Sequence, residues 1–98
     1  MANGPLNKRA LDLLWAMYQK VGGDIEKQVL PDEVARETNI IDPSWYHYNE
    51  IYAATMNYLV ERKEALVFVD EPFPKARYYK ITLEGRQLLR EEGYPVTR

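Results

Sequence analysis

The chain has 98 residues, of which 46% are hydrophobic and 29% are charged, and this composition indicates one folded domain rather than a disordered segment. The formal net charge of −2 gives no general support to nucleic-acid binding, although a local basic cluster could outweigh it. The absence of cysteine excludes disulfide bonds, thiolate metal sites and cysteine nucleophiles, and no stretch approaches the ~20 apolar residues of a membrane span. We therefore expect a cytoplasmic protein with a single domain over residues 1–98 and no membrane partner.

The first predicted helix covers residues 6–21. Its apolar positions recur every three or four residues, which is typical of a helix that packs one face on a core. A second apolar stripe, formed by Leu11, Trp15 and Tyr18, flanks that face. These three side chains either pack beneath the end of the same chain or form a protein interface, which could be that of a homodimer.

A second, shorter helix is predicted from Pro31, after a segment at 24–29 that could be a loop or a short strand. The longest helical pattern follows at 42–64. Asp42 is expected to be its N-cap and Pro43 its first helical residue, because this pair is a strong initiation signal.

The third predicted helix has an apolar face and a polar face. The residues expected to face the core are Trp45, Tyr48, Tyr52, Met56 and Leu59. The residues expected on the opposite face are Tyr46, His47, Glu50, Ala53, Ala54, Asn57 and Glu61. No lysine or arginine occurs between Ser44 and Glu61, so the exposed face is polar without being basic.

The remaining residues predict a β-hairpin and a closing helix. Residues 65–69 and 77–81 have the composition of two short strands, and the loop between them contains two prolines. Thr82 is expected to cap a last helix that runs to about residue 92, with Leu83, Leu88 and Leu89 available for the core. The predicted fold is α+β and mostly helical, with three helices, a hairpin and a short C-terminal helix.

This order of elements resembles the winged helix-turn-helix family. Residues 78–89 (YYKITLEGRQLL) are similar to the Tyr-x-Leu-Thr-x-x-Gly-x-x-Leu-Leu pattern at the wing and following helix of PadR-like and MarR-like regulators. The resemblance implies that the third helix is the recognition helix and that the hairpin is the wing. Glu64-Ala65 replaces the glycine that usually stands between these elements, and the last helix is shorter than the terminal helices of those dimeric regulators.

The resemblance implies a small transcriptional regulator or accessory factor that binds double-stranded DNA. Asn57 could pair with adenine in the major groove. The other candidate DNA contacts are Ser44, Tyr46, His47, Asn49, Arg36 on helix 2, and Lys75, Arg77 and Lys80 on or beside the wing. Glu50 and Glu61 lie on the same helix face and would repel the DNA backbone. Asp70 and Glu71 weaken the wing in the same way.

The alternative function is a protein-interaction module that does not bind DNA directly. In that case the contacts would come from the exposed side of the third helix, with or without the stripe on helix 1. The candidate contacts on the third helix are Tyr46, Ala53, Ala54 and Tyr58.

An enzyme is not expected, because the chain has no phosphate-binding glycine loop, nucleophile motif or paired-carboxylate spacing, and nothing in it predicts a cofactor. His47 and Glu50 lie one helical turn apart and could supply two metal ligands. Zinc generally takes three or four protein ligands, so we expect no metal site.

Overall fold

The computed structural model describes residues 4–71 and 76–96. Its elements, in chain order, are α1 (Gly4–Lys20), α2 (Pro31–Thr38), α3 (Tyr48–Asn57), β1 (Leu66–Phe68), β2 (Tyr79–Ile81) and α4 (Leu83–Glu91). A π-helical turn, Tyr58–Arg62, continues α3 without a break. The predicted α+β, mostly helical class is confirmed, with four helices and one antiparallel hairpin in the described ranges.

The α1 helix contributes the largest share of the core. Its residues Ala10, Leu13, Leu14 and Met17 are completely buried and belong to one apolar cluster that includes residues from every other element. Each large side chain removed from water in this way stabilises the fold by roughly 2 kcal/mol. None of the described helices combines the length and the apolar character needed to cross a membrane.

The segment before α2 joins the hairpin at Val29. The Val29 N–H donates to the Tyr79 carbonyl at 2.8 Å, and the Tyr79 N–H donates to the Val29 carbonyl at 2.9 Å. On the other edge of β2, Tyr79 pairs with Phe68 and Ile81 pairs with Leu66. Residues 24–29 are therefore a loop that ends in a single strand-type bridge, and β2 lies between this bridge and β1.

The predicted start of α3 is wrong by several residues. Asp42 does not cap the helix, because its Oδ1 accepts hydrogen bonds from the Ser44 N–H at 2.9 Å and the Ser44 hydroxyl at 2.7 Å. These two bonds hold the pKa of Asp42 below its ordinary value. They close a turn, a second turn follows at Trp45, and the helix begins only at Tyr48. The side chain that suits an N-cap suits a local turn equally well.

This late start changes the position of Trp45. Its side chain is 46% exposed and does not belong to the core, so that prediction is also wrong. Tyr48, Met56 and Leu59 are buried as predicted, and Tyr52 is half-buried. The residues predicted on the opposite face are all exposed, as expected, namely Tyr46, His47, Glu50, Ala53, Ala54, Asn57 and Glu61.

The corner between the π-helical turn and β1 is built without glycine. Glu64 adopts a left-handed conformation with φ of 52°, which is uncommon for a residue with a side chain. The Ala65 N–H donates to the Leu59 carbonyl at 2.7 Å, and the Thr82 hydroxyl donates to the Glu64 carbonyl at 2.6 Å. The residue that follows β2 therefore holds this corner in place.

The start of α4 explains the Thr-x-x-Gly part of the sequence pattern. The Thr82 hydroxyl oxygen accepts a hydrogen bond from the Gly85 N–H at 2.9 Å, which confirms Thr82 as the N-cap. A Cβ atom on Gly85 would lie 2.3 Å from the Ala65 carbonyl oxygen, so only glycine allows α4 to approach the corner this closely. Leu89 is fully buried, as predicted. Leu83 is 65% exposed, so the prediction that it packs in the core is wrong.

Candidate functional site

The exposed side of α3, with the turn before it, forms a surface that carries several of the candidate contacts. We call it the α3 surface, and its residues are Tyr46, His47, Asn49, Glu50, Ala53, Ala54, Asn57 and Glu61. Tyr46 is 94% exposed, and its ring packs edge-on against the ring of His47. His47 Nδ1 lies 2.5 Å from Glu50 Oε1, so these two side chains pair with each other at the start of the helix.

Arg36 is held above α3 by two groups. Its Nε–H donates to both carboxylate oxygens of Asp32, at 3.3 and 3.2 Å, and its guanidinium carbon lies 4.3 Å from the centroid of the Tyr48 ring. The Tyr48 hydroxyl in turn donates to Asp32 Oδ1 at 2.6 Å. Burial and this carboxylate raise the pKa of Tyr48 to about 12. Arg36 is exposed but fixed in direction, because the aromatic ring and the carboxylate both constrain it.

Arg77 is supported in a similar way by an aromatic ring of the hairpin. Its guanidinium carbon lies 4.5 Å from the centroid of the Phe68 ring, in the hairpin. Arg77 borders two depressions in the surface. One is a groove of about 340 Å³ between α3 and the hairpin, which also contains Ala53, Asn57 and Glu61.

The second depression, also of about 340 Å³, lies between α2, α3 and the chain that leads into β2. We call it the α2–α3 pocket, and its residues are Leu30, Asp32, Arg36, Asn49, Tyr52, Ala76 and Arg77. The structure therefore brings Arg36, Asn49 and Arg77, which come from three separate segments, to one place. Burial, and secondarily the Asp32 carboxylate, raise the pKa of Tyr52 above its ordinary range, so its hydroxyl stays protonated at neutral pH.

Three of the candidate DNA contacts lie elsewhere or outside the described residues. The Ser44 hydroxyl donates to Asp42 at 2.7 Å. Lys80 pairs with Val67 on the outer face of the hairpin, whereas its neighbours Tyr79 and Ile81 point into the core. Lys75 lies outside the described residues.

Among the described residues, the charges around these two depressions do not form a basic stripe. Arg36 and Arg77 supply positive charge at these depressions, and Asp32 and Glu61 supply negative charge there. Glu50 adds a negative charge beside Asn49 on the α3 surface. The formal balance of these five described side chains is therefore 2 − 3 = −1. In the described ranges, no group of three or more histidine and carboxylate side chains is placed to hold a metal ion.

The apolar stripe on α1 makes its contacts within the same chain. Leu11 and Tyr18 are 6% and 4% exposed. The Trp15 ring lies between those of Tyr18 and Tyr94, with centroid distances of 5.6 and 5.4 Å. The Tyr94 hydroxyl donates to Asp12 Oδ1 at 3.2 Å, which fastens the C-terminal segment over the stripe. The stripe is thus covered by the end of the same chain, the first of the two arrangements considered for it.

Tyr58, a candidate for a protein interface, is half-buried, and its hydroxyl donates to Asn7 Oδ1. It is therefore less available to a partner than Tyr46, Ala53 and Ala54, which are exposed.

Sequence reasoning missed the part played by Leu30, Asp32 and Tyr52 in the α2–α3 pocket. Asp32 stands four residues before Arg36, a spacing that favours an ion pair on a helix and could have linked the two side chains. Tyr52 was predicted as a core residue, and no local signal shows that its hydroxyl borders a pocket. No protein-family model, no curated protein and no solved structure matches this chain.

Proposed function

We propose that this chain is a winged helix-turn-helix domain that binds double-stranded DNA through the α3 surface. The order α1, Val29 bridge, α2, α3, β1, β2 supports the fold, because the single bridge at Val29 pairs the segment before α2 with the free edge of β2. The observation that carries the function is the meeting of Arg36, Asn49 and Arg77 at the edge of α3. Two guanidinium groups beside an exposed helix are suited to the phosphates that border a groove.

In this proposal α3 enters the major groove. The amides of Asn49 and Asn57 are the groups on its exposed side with the donor and acceptor pattern that adenine requires. Arg36 and Arg77 contact backbone phosphates at the edge of α3 where they meet, and their aromatic supports reduce the side-chain entropy lost on binding.

The charge on the surface limits the affinity. Because Glu50 and Glu61 lie beside the proposed contacts, binding is expected only at low ionic strength. Two arginines that each neutralise one phosphate predict a slope of about −1.8 when the logarithm of the binding constant is plotted against that of the salt concentration. Lys75, if it contacts a further phosphate, makes the slope steeper.

Fluorescence anisotropy with a mixed-sequence duplex over a salt series tests this proposal. Arg77→Gln is expected to weaken binding to all sequences and to reduce the slope by about 1. Lys27→Gln removes the same charge from an exposed turn on residues 24–28 and is the matched control, with an unchanged slope. If the wild-type chain shows no salt-sensitive binding even at the lowest ionic strength, the DNA proposal fails.

A second candidate function, a protein-interaction module, is favoured by one observation. The α3 surface combines the fully exposed Tyr46 with the small, exposed side chains of Ala53 and Ala54, and such residues allow a partner to approach closely. Its carboxylates do not oppose a protein partner as they oppose DNA. This function would be favoured over the first if the wild-type chain bound a protein partner but not DNA, and if Tyr46→Ala abolished binding of that partner.

A further inference from the structure

The α2–α3 pocket contains more hydrogen-bond donors than acceptors. Within the described part of the chain, no protein acceptor pairs with four donors at this pocket: the terminal nitrogens of Arg36, the guanidinium of Arg77, the Asn49 amide and the Tyr52 hydroxyl. The one carboxylate in the pocket, Asp32, already accepts from Arg36 and from Tyr48. Among its described residues, the pocket therefore has no protein group that accepts from these donors, which are open to water or to a ligand.

The charge of the pocket indicates what that acceptor is. Arg36 and Arg77 against Asp32 leave a formal balance of 2 − 1 = +1, which favours an anion. Guanidinium groups bind phosphate and carboxylate oxygens in pairs, because their N–H groups match the spacing of those oxygens. A phosphate offers more acceptor oxygens than a carboxylate and so satisfies more of these donors.

The apolar walls and the volume of the pocket indicate what kind of group is attached to the phosphate. Leu30 and Ala76 are half-buried apolar walls, and the ring of Tyr52 is half-buried beside them. The volume of about 340 Å³ is larger than a phosphate ion needs, so a small organic group fits with it. Such a mixture of apolar walls and a few convergent polar groups is common in small-molecule sites.

We propose that the α2–α3 pocket binds a phosphate monoester, with Arg36 and Arg77 on the phosphate oxygens and Asn49 and Tyr52 as further donors. This goes beyond duplex binding and does not depend on it. Because the same two arginines are the proposed contacts for DNA phosphates, a monoester in the pocket competes with DNA wherever both bind.

Titration of the isotope-labelled chain with inorganic phosphate and then with phenyl phosphate tests the proposal by NMR. Saturable shifts are expected at the side-chain N–H signals of Arg36, Arg77 and Asn49, with an apparent Kd on the order of 1 mM for so small a ligand. Phenyl phosphate is expected to bind more tightly than the free ion, because its ring contacts Leu30. Shifts that do not saturate, or that centre on another surface, overturn the site.

Two variants separate the site from general charge effects. Arg77→Gln and Asn49→Ala each change an exposed side chain, and Arg77→Gln is expected to weaken phenyl phosphate binding by about tenfold. Asn49→Ala, which removes an uncharged donor, is expected to weaken it less. Lys27→Gln carries the same charge change as Arg77→Gln but leaves the affinity unchanged. Equal losses in Arg77→Gln and Lys27→Gln overturn the proposal, because they show only nonspecific attraction.

A separate titration with duplex DNA distinguishes this inference from the proposed function. Phosphate binding without DNA binding keeps the pocket and removes the DNA proposal. DNA binding without saturable binding of either phosphate probe keeps the DNA proposal and overturns the monoester site. If both bind, phenyl phosphate is expected to release DNA, and failure to compete overturns the assignment of the monoester to these arginines.

Discussion

Replacement of Gly85 by alanine tests whether the close approach of α4 to the β1 corner determines the stability of this fold. The added Cβ would lie 2.3 Å from the Ala65 carbonyl oxygen and 3.1 Å from the Ala65 carbonyl carbon, far inside van der Waals contact. The obstacle is backbone rather than a flexible side chain. Ala65 is also held by hydrogen bonds at both of its peptide groups, to Leu59 at 2.7 Å and to Thr82 at 3.0 Å.

Two opposing effects set the size of the change. Alanine is the better helix former and would stabilise an unobstructed helix by about 1 kcal/mol relative to glycine. Overpacking in a site that cannot relax costs typically 1–3 kcal/mol and is expected near the upper end here, since the corner itself must move. We therefore expect Gly85→Ala to lower the free energy of unfolding by about 2 kcal/mol, which corresponds to a fall in Tm of roughly 10 °C.

Urea unfolding followed by circular dichroism measures this change. Gln87→Ala, at an exposed position of the same helix, is the matched control and is expected to stay within about 0.5 kcal/mol of the wild type. Helix propensity alone would make the alanine variant more stable, whereas overpacking makes it less stable. The sign of the measured change in the free energy of unfolding therefore shows which effect is larger. A Gly85→Ala variant as stable as the wild type, or more stable, refutes the close approach.

Three further predictions concern the corner, a buried tyrosine and the surface charge. Glu64→Gly should stabilise the chain by up to about 1 kcal/mol, because glycine adopts the left-handed conformation at 52° without strain, and a less stable variant in urea unfolding contradicts this. The pKa of Tyr48 rises in the folded state from 10.0 to about 12, so its protonated hydroxyl contributes to the free energy of unfolding. That contribution should be fully present below pH 10 and be lost as the pH approaches 12. Tyr48→Phe should flatten that fall, and an equally steep loss would assign it to other groups. Glu50→Gln with Glu61→Gln should raise DNA affinity about fivefold at low salt, because a carboxylate about 8 Å from a phosphate repels it by roughly 0.5 kcal/mol in water. The same change at Glu26 and Glu91 is the control, and an equal gain there indicates only net charge.

The parts of the fold that depend on local chemistry could be predicted from the sequence. Thr82 was identified as a cap because threonine is among the preferred N-cap residues and a helical pattern follows it. Asp42 had the same signal and gave the wrong helix start, since an aspartate can close a turn with its own neighbours as readily as it caps a helix. Trp45 was misplaced by the same error, because its predicted face depended on where the helix began.

The candidate site could be predicted only in part. The exposed face of α3 followed from helical periodicity, so Asn57 was placed on it correctly, whereas Asn49 was a candidate contact that was not assigned to that face. The α2–α3 pocket depends on how α2 and the chain before β2 pack on α3, and no local pattern places Arg36 beside Arg77. The requirement for glycine at position 85 also could not be predicted, because the atoms that exclude a side chain there belong to the backbone of Ala65, 20 residues earlier in the chain.

Chemical-shift mapping with a short duplex at low ionic strength tests the central claim most directly, since it reports both whether DNA binds and where. We expect the largest shifts at Asn49, Asn57 and Arg77 and at the side-chain N–H of Arg36. The signals of Leu88 and Tyr94, on the side of the C-terminal helix, are expected not to change. Largest shifts around Leu88 and Tyr94, or no shifts at any duplex concentration, would contradict the claim.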